Sequence, residues 1–225
     1  MNMEKLPLCI LIFMSLSNAL SQTDMSEKSF VLPQESDDSY VILKPHLDKP
    51  LKAFTVCLKV FTDLKRSCCL FSYATESHFN DILIFKRPVG SYLFAVGDEE
   101  VVFQVPEIIF APQHICVGWE SESGIAEFWL DGKPMVRKAL NKGYSVGIKS
   151  KIILGQDQDS FGGGFDKTQS LVGDIGDVYM WDSMLSPEDI ISIYLGGTFS
   201  PNVLDWRKLD YEKKGSVVTK PQLWV

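Results

Sequence analysis

The sequence lacks an apolar run long enough to cross a membrane, an excess of positive charge and any clustering of histidine. Its longest uncharged apolar segment, residues 6–16, is shorter than the roughly 20 residues that a membrane-spanning helix needs. Its 22 lysines and arginines are outnumbered by 29 aspartates and glutamates, which disfavours nucleic acid and anionic membranes as partners. The histidines at positions 46, 78 and 114 show no metal-ligand spacing, and we interpret His114, inside an apolar run, as structural.

The N-terminal segment has the form of a secretory signal peptide. Lys5 precedes the apolar residues 6–16, and the small residues Ala19 and Ser21 stand two apart, as signal peptidase requires. We expect cleavage before Gln22, so that residues 1–21 are removed and residues 22–225 form one secreted, extracellular domain. An acidic chain in that compartment is a candidate for binding cations.

Four cysteines remain after this cleavage. An oxidising compartment permits disulfides, and four cysteines allow three pairings. Cys57 and Cys116 each lie inside a strand-like run, and we expect them to bond between two facing sheets. Cys68 and Cys69 are adjacent, and three states stay open for them: free thiols, a strained bond with each other, or bonds between chains.

Short runs rich in β-branched and aromatic residues recur along the chain and favour an all-β sandwich or jelly roll. Their spacing of roughly 8–15 residues is typical of such folds. The dipeptide Asp131-Gly132 predicts a type I′ hairpin turn, and residues 211–225 are apolar enough to return as an edge strand. The ten predicted strands cover residues 40–43, 54–61, 70–73, 82–85, 92–96, 101–105, 114–119, 125–130, 151–154 and 177–181.

One short helix is predicted to begin at Ser186. Ser186 is a favourable N-cap, Pro187 suits the first helical position, and two acidic residues follow in the first turn. Ile190, Ile193 and Tyr194 then have the spacing of one apolar helix face, and a glycine pair ends the segment. In a β protein such a helix must pack on one face of a sheet.

Residues 143–147 match the G-x-S-x-G motif of serine hydrolases, with Ser145 as the nucleophile. That motif needs a strand before the serine and a helix after it. Here residues 148–154 look like another strand, so we interpret the match as a loop between strands. A hydrolase that uses Ser145 is the disfavoured alternative.

The loop at residues 154–174 carries many side-chain oxygens and three glycines in a row. Ca²⁺ takes 6–8 oxygen ligands, and a glycine-rich loop can bend around it. An EF-hand beginning at Asp157 is excluded because its twelfth position is Thr168 rather than glutamate. A calcium site here would be of another kind, with oxygens from Asp157, Gln158, Asp159, Asp166 and Gln169.

Several stretches make the chain resemble the short pentraxins. Residues 114–121 read HICVGWES, against a family signature of His-x-Cys-x-Ser/Thr-Trp-x-Ser, with Gly118 departing from it. Further similar stretches are KPLKAFTVCL, SGIAEFWLDGKP, LGQDQDSFGG, VGDIGDVYMWD and SPNVLDWR. The resemblance covers essentially all of residues 22–225.

The resemblance implies a non-enzymatic protein with a flattened jelly roll of two antiparallel sheets and one helix on one face. It also implies a Cys57–Cys116 disulfide and a cyclic homopentamer. Such proteins bind phosphocholine or phosphoethanolamine on one face through two Ca²⁺ ions, and complement and Fc receptors on the other.

The calcium ligands implied by the resemblance are Asn80, Asp157, Gln158, Asp159, Asp166 and Gln169. Phe79 replaces an aspartate of the family, and Asp157 replaces a glutamate that reaches both ions. We expect these changes to weaken the first site most, since affinity follows ligand charge and number. Asp81 is an alternative ligand, although strand alternation points it the other way.

The resemblance also implies a ligand pocket and a second binding face. Phe85 and Glu100 match the aromatic ring and carboxylate that hold a quaternary ammonium group, and Ala95 replaces a threonine at the pocket floor. The residues matching positions for complement are Asp131, Lys133 and Tyr194. The alternative function, suggested by Phe79 and Ala95, is a binding scaffold of the same fold with a degraded calcium site and a different ligand or only protein partners.

Overall fold

The computed structural model describes residues 22–88, 90–106 and 111–224, and the expected signal peptide lies outside them. Almost all regular structure in these residues is β-strand, as the composition of the apolar runs predicts. The strands are β1 (Lys28–Leu32), β2 (Tyr40–Leu43), β3 (Ala53–Phe61), β4 (Cys68–Thr75), β5 (Ile82–Arg87), β6 (Ser91–Val96), β7 (Glu99–Gln104), β8 (Gln113–Glu120), β9 (Ile125–Leu130), β10 (Lys133–Pro134), β11 (Lys138–Ala139), β12 (Ser150–Leu154), β13 (Gly173–Trp181), β14 (Tyr211–Lys214) and β15 (Val218–Pro221).

These strands form two antiparallel sheets packed face to face. The eight-stranded sheet has the order β10-β9-β8-β3-β13-β1-β15, with β11 also paired to β9. The seven-stranded sheet has the order β14-β2-β12-β4-β5-β6-β7. The all-β jelly roll of two antiparallel sheets is therefore confirmed.

The side chains between the sheets form one apolar core. Phe54 on β3 contacts Trp119 on β8, with ring centroids 5.8 Å apart, and Phe94 on β6, at 6.1 Å. Trp119 is fully buried and its indole N–H donates to the carbonyl of Leu140 at 2.8 Å, so this large ring leaves no polar atom unpaired. The outer faces of both sheets are then free to carry other features.

The helix α1 (Pro187–Tyr194) begins where the sequence predicts. The Ser186 hydroxyl accepts a hydrogen bond from the Asp189 backbone N–H at 3.1 Å, which satisfies one of the free donors of the first turn. Ile190 and Ile193 are buried, but Tyr194 is 39% exposed. The expected apolar face is therefore correct for the two isoleucines and wrong for the tyrosine, which lies at the rim beside His114 of β8.

Two parts of the strand prediction need correction. Strand β1 was not predicted, because Lys28–Leu32 includes a buried polar residue, Ser29, which donates to Asp174 at 3.0 Å. The tail makes two strands instead of one: β14 pairs with β2 in one sheet, and β15 pairs with β1 in the other. The tail crosses between sheets because residues 215–217 turn the chain at Gly215, whose φ is +61°.

The cysteine prediction is confirmed in its pairing but not in its reason. Cys57 and Cys116 are bonded, yet they lie opposite each other on neighbouring strands β3 and β8 of one sheet, with Cα atoms 4.1 Å apart. The bond closes a separation of 59 residues, which in the chain-entropy model stabilises the fold by about 4 kcal/mol. The turn at Asp131-Gly132 is also as predicted, with φ values of +49° and +72°.

Cys68 and Cys69 are free thiols. Cys68 points into the core between the sheets, whereas Cys69 belongs to a separate apolar cluster. Burial raises the pKa of the Cys68 thiol to about 11 and that of Cys69 well above its usual value. Both stay protonated and enclosed, and they are not bonded to each other.

Candidate functional site

The loop that follows β12 lies on the outer side of the seven-stranded sheet. Gln158 fastens it there: its amide nitrogen donates to the carbonyls of Ser72 and Lys151 at 3.1 and 3.0 Å, and its amide oxygen accepts from Gly162 N–H at 2.9 Å. Both ends of this side chain are committed to protein contacts. The amide oxygen keeps one lone pair beyond this hydrogen bond, and Gln158 as a calcium ligand stays a prediction.

Ser150 Oγ and Gln156 Oε1 are buried without a hydrogen-bond donor in the described residues, and so are three side-chain oxygens of the expected calcium ligands. These three are Oδ1 of Asn80, Oδ1 of Asp157 and Oε1 of Gln169. Buried polar atoms nearly always have a partner, and each exception needs an explanation. All three atoms are acceptors and come from three of the expected calcium ligands, so the donor set suits a hard cation.

Asp157 carries the clearest electrostatic signal of this loop. Its burial, together with the nearby charge of Asp159, raises the pKa of the Asp157 carboxyl to about 6. Asp159 itself is exposed. Two carboxylates in one loop repel each other, and a divalent cation between them removes that repulsion.

Asp166 and Gln169 are positioned by a short 3-10 turn, Lys167–Gln169. Asp166 is its N-cap, and its Oδ1 accepts from the Thr168 backbone N–H at 2.8 Å. That backbone hydrogen bond is the main reason that the pKa of Asp166 is lowered, so the exposed carboxylate is ionised. The turn thus leaves the Gln169 amide oxygen without a donor within the described residues.

Asn80 lies on the hairpin between β4 and β5. Its backbone N–H donates to Oδ1 of Asp98 at 2.9 Å, and its carbonyl accepts from Asp98 N–H at 3.1 Å. The other Asp98 oxygen meets His78 Nδ1 at 2.8 Å. The neighbouring Phe79 is 41% exposed and offers no oxygen in its side chain.

Asp81 is not a substitute ligand for the lost aspartate. Its carboxylate is fully buried and accepts from Tyr144 OH at 2.8 Å and from Thr75 Oγ1 and Gly147 N–H at 3.1 Å. Burial raises the pKa of Asp81, although these donors oppose the shift. The sequence argument that strand alternation turns Asp81 away from the loop is confirmed.

The residues of the expected ligand pocket lie on the same outer face as the acidic loop. Phe85 and Ala95 belong to a small apolar cluster separate from the core, completed by Cys69, Leu83 and Leu93. Glu100 is exposed on β7 directly opposite Ala95 on β6. The charge of Asp157 acts on the Cys69 thiol, which places the apolar cluster beside the acidic loop.

The residues of the expected second face lie around α1 on the eight-stranded sheet. Asp131 accepts from the His114 backbone N–H at 2.8 Å, and the Tyr194 ring is 5.6 Å from the His114 ring. Lys133 is exposed on β10. Asp131 and Tyr194 line one cleft. Because this set lies on the eight-stranded sheet and the acidic loop lies on the outer side of the seven-stranded sheet, the thickness of the sandwich separates the two.

His114 itself is a structural residue. It lies with Cys57 and Cys116 in the one group of three potential metal-binding side chains found in the described ranges. Both sulfurs are joined in the disulfide and are not free to bind a metal. Burial lowers the pKa of His114 to about 4, so its ring is neutral.

The hydrolase alternative finds no support in the geometry around Ser145. Residues 143–147 form a turn and a single bridge between Val146 and Leu51, and β12 follows them where the motif needs a helix.

Sequence reasoning missed two residues that hold this site, Asp98 and Arg66. Asp98 follows Gly97 in a tight turn. The Gly-Asp pair indicates a turn, but nothing in the sequence indicates the hydrogen bond to Asn80. Arg66 stands in a short polar connection between β3 and β4, and nothing in the sequence indicates that it reaches the 3-10 turn. In the described part of the chain no helix is long and apolar enough to cross a membrane.

Comparisons with known proteins show the family and agree with the fold. The model of the pentaxin family matches residues 28–221. The chain is 62% identical to the C-reactive protein of Homo sapiens, over 99% of this chain and 100% of that protein, and 52% identical to the serum amyloid P-component of Rattus norvegicus, over 99% and 98%. Among solved structures, a native heptameric SAP-like pentraxin from Limulus polyphemus superposes with a TM-score of 0.78 at 19% identity, covering 89% of this chain and 98% of that one.

Proposed function

The chain belongs to the pentaxin family of non-enzymatic pattern-recognition proteins, and we propose that it is secreted and binds phosphocholine- and phosphoethanolamine-type ligands in a calcium-dependent way. The observation that carries this proposal is the set of three buried acceptor oxygens without donors, on Asn80, Asp157 and Gln169. They come from the β4–β5 hairpin and from both ends of the loop after β12. Two cation sites that share Asp157 would give each of these oxygens a partner.

The available oxygens divide into two sets that share Asp157 and Asp159. Asn80 and Gln158 belong to the first set. Asp166 and Gln169 belong to the second. This division accommodates the two ions per subunit that the family resemblance implies.

The ligand is held by three kinds of contact. Bound calcium would supply the positive charge to which phosphate oxygens coordinate. Phe85 offers an aromatic face to the quaternary ammonium group, and the exposed Glu100 carboxylate opposes its charge. Ala95 leaves the pocket floor open because its side chain is only a methyl group.

Extracellular conditions allow a weak site to work. Phe79 removes one carboxylate from the first set, which lowers its affinity because ligand charge sets calcium affinity in proteins. Sites of extracellular modules function with dissociation constants of roughly 10⁻⁴–10⁻³ M. The first set is therefore able to fill outside the cell despite Phe79.

Isothermal titration of the mature protein tests this function. We expect heat on addition of Ca²⁺, and heat from phosphocholine only when Ca²⁺ is present. A Phe85→Ala variant is the matched control, since it leaves every proposed calcium ligand in place. It should bind calcium normally and phosphocholine weakly. Equal phosphocholine binding in Ca²⁺ and in EDTA would rule out the calcium-dependent mechanism.

A second candidate function is a scaffold of the same fold whose calcium site is degraded, and the exposed Phe79 side chain favours it. Under this alternative the natural chain binds no calcium at millimolar concentration, whereas Phe79→Asp does. Calcium titration of the two proteins side by side separates the candidates. Comparable binding by both removes the alternative.

The same family membership supports two further parts of the proposal. The chain assembles as a cyclic homopentamer, and the face that carries Asp131, Lys133 and Tyr194 engages complement and Fc receptors. Sedimentation velocity measures the assembly. Substituting Tyr194→Ala, at an exposed rim position, should reduce complement binding without changing sedimentation. Mass spectrometry of the secreted chain should find Gln22 at its N-terminus.

A further inference from the structure

Arg66 joins the connection between β3 and β4 to the 3-10 turn of the candidate site. Its Nη1 donates to the carbonyl oxygens of Thr168 and Ser170 at 3.1 and 2.6 Å, and Nη2 meets Ser170 Oγ at 3.4 Å. Its Nε donates to Glu35 Oε2 at 3.1 Å. One guanidinium therefore links three segments that are far apart in sequence.

The two carbonyls that Arg66 contacts lie on either side of Gln169. The Thr168 carbonyl belongs to the peptide group before Gln169 and the Ser170 carbonyl to the peptide group one residue further on, so fixing both limits the directions in which the Gln169 side chain can point. The same turn carries Asp166 at its N-cap, and Ser170 closes it from the other end by donating to the Lys167 carbonyl at 2.6 Å. The orientation of both Asp166 and Gln169 thus depends on where this turn is held.

The rest of the turn has few other attachments among the described residues. Lys167 and Thr168 are exposed and none of the three residues in the turn is buried. The planar fork of arginine suits several carbonyl acceptors at once, whereas the single ammonium of lysine does not hold them in a fixed geometry. Arg66 is accordingly the side chain best placed to fix the turn.

We propose that Arg66 is a positioning residue that holds Asp166 and Gln169 in their metal-binding arrangement before calcium arrives; this inference rests on the calcium site proposed above. Residues that orient metal ligands typically change metal affinity by about 10- to 100-fold when they are replaced. The second set of oxygens is the one that depends on Arg66. The first set, around Asn80, makes no contact with it.

The positive charge of Arg66 acts in the opposite direction, because it disfavours a cation nearby. Positioning and repulsion therefore predict opposite signs for the loss of the side chain. Lys167 offers the matched control: it lies in the same turn and its charge also acts on Asp166, but no hydrogen bond of its side chain holds the turn. Lys167→Gln removes a charge without removing the link.

The first experiment is calcium titration of the full mature chain and of Arg66→Lys, Arg66→Gln and Lys167→Gln. We expect both Arg66 variants to weaken the ion at Asp166 and Gln169 by about 10-fold or more, with the ion at Asn80 little changed. Lys167→Gln should bind at least as tightly as the natural chain. Tighter binding by Arg66→Gln, with Arg66→Lys unchanged, would show a charge effect alone and overturn the proposal.

A second measurement needs no calcium and so separates this inference from the proposed function. Trypsin is added in EDTA, and cleavage after the exposed Lys167 is compared with cleavage after the exposed Lys142 in the same sample. We expect the Lys167 rate, relative to Lys142, to rise in Arg66→Lys. Equal ratios would overturn the positioning role. Absence of calcium binding by the natural chain would instead refute the proposed function.

Glu35→Gln provides a milder variant in case Arg66→Lys folds poorly. It weakens the contact that orients the guanidinium but keeps Arg66 itself. We expect the same two changes in smaller measure. A general loss of fold would move both ions and both cleavage rates together, whereas loss of positioning moves only those at the 3-10 turn.

Discussion

The two halves of the candidate calcium site are held in different ways. Asn80 is fixed by two hydrogen bonds to Asp98 in the neighbouring β6–β7 turn, one to its carboxylate and one from its backbone N–H, and by the buried Asp81 beside it. Asp166 and Gln169 depend on side chains from distant segments, chiefly Arg66. The half supported by sheet geometry has lost a carboxylate, to Phe79. The half that keeps its anionic ligand, Asp166, is held mainly by hydrogen bonds from one side chain, Arg66, and a single substitution can remove them.

In the proposed division Asp157 is common to both halves, so its replacement should have the largest effect. We expect Asp157→Asn to reduce calcium affinity at both ions by at least about 100-fold, since it removes a shared anionic ligand. Isothermal titration measures this loss. In EDTA the variant should melt no lower than the natural chain, because the buried Asp157 carboxylate is unfavourable without a cation. Loss of only one ion would show that Asp157 does not join the halves.

The second prediction concerns pH and has a smaller effect. The pKa of Asp157 is raised to about 6, above its value in an unfolded chain, so the calcium-free folded chain holds this proton to higher pH. In EDTA, stability should therefore fall as pH rises from about 4 to about 6. Calcium binding needs the carboxylate, and the affinity should be about fourfold weaker at about pH 5.5 than at about pH 7.5.

Titrations with calcium at the two pH values measure this difference, and thermal melts in EDTA measure the stability. Asp157→Asn is the control, because the pH dependence of its melting over this range should be reduced. If the affinity of the natural chain does not change with pH, the Asp157 carboxyl is already ionised at the lower value and its burial is relieved by some other group.

The smallest expected effect is at Asp98, and it tests whether the first half needs the charge of this carboxylate or only its oxygen and the turn geometry. Asp98 has φ = +64°, a conformation that asparagine tolerates well. Asp98→Asn keeps an oxygen for the Asn80 N–H and loses only the ion pair with His78. We expect calcium affinity to change by less than about twofold, well below the effect of replacing an orienting side chain. A change as large as that of Arg66→Lys would contradict the contrast between the halves.

The strands and the helix were largely predictable because their signals are local. Alternation along the chain gives Tyr40–Leu43 and Ile125–Leu130 with the bounds that the structure has, and the Ser186 cap gives the helix start. Strand β1 was not predicted, because its buried Ser29 is satisfied by a hydrogen bond to Asp174, which lies far along the chain. The division of the tail into two strands was not predicted, because nothing local in the sequence shows that β14 pairs with β2 in one sheet and β15 with β1 in the other.

The candidate site was predictable as a list of residues but not as a geometry. The acidic loop and the family resemblance indicate which residues are the ligands. The sequence does not show, however, that the Gln158 amide makes hydrogen bonds to Ser72, Lys151 and Gly162. It also does not show that Asp81 is paired internally. Such commitments depend on which side chains the two sheets bring within hydrogen-bonding distance, and Arg66 shows the same limit.

The tail that crosses between the sheets has a consequence for how the protein avoids self-association. Residues 211–221 cover one open edge of each sheet, at β2 and at β1. An uncovered edge strand presents unpaired backbone groups that recruit other chains. Strands β14 and β15 become the outermost strands in their place, and both are short and carry lysines, with a proline at the end of β15, which are features that discourage pairing with another chain. Cutting the chain before Tyr211 would expose β2 and β1 as edges instead, and we expect the shortened protein to aggregate more readily.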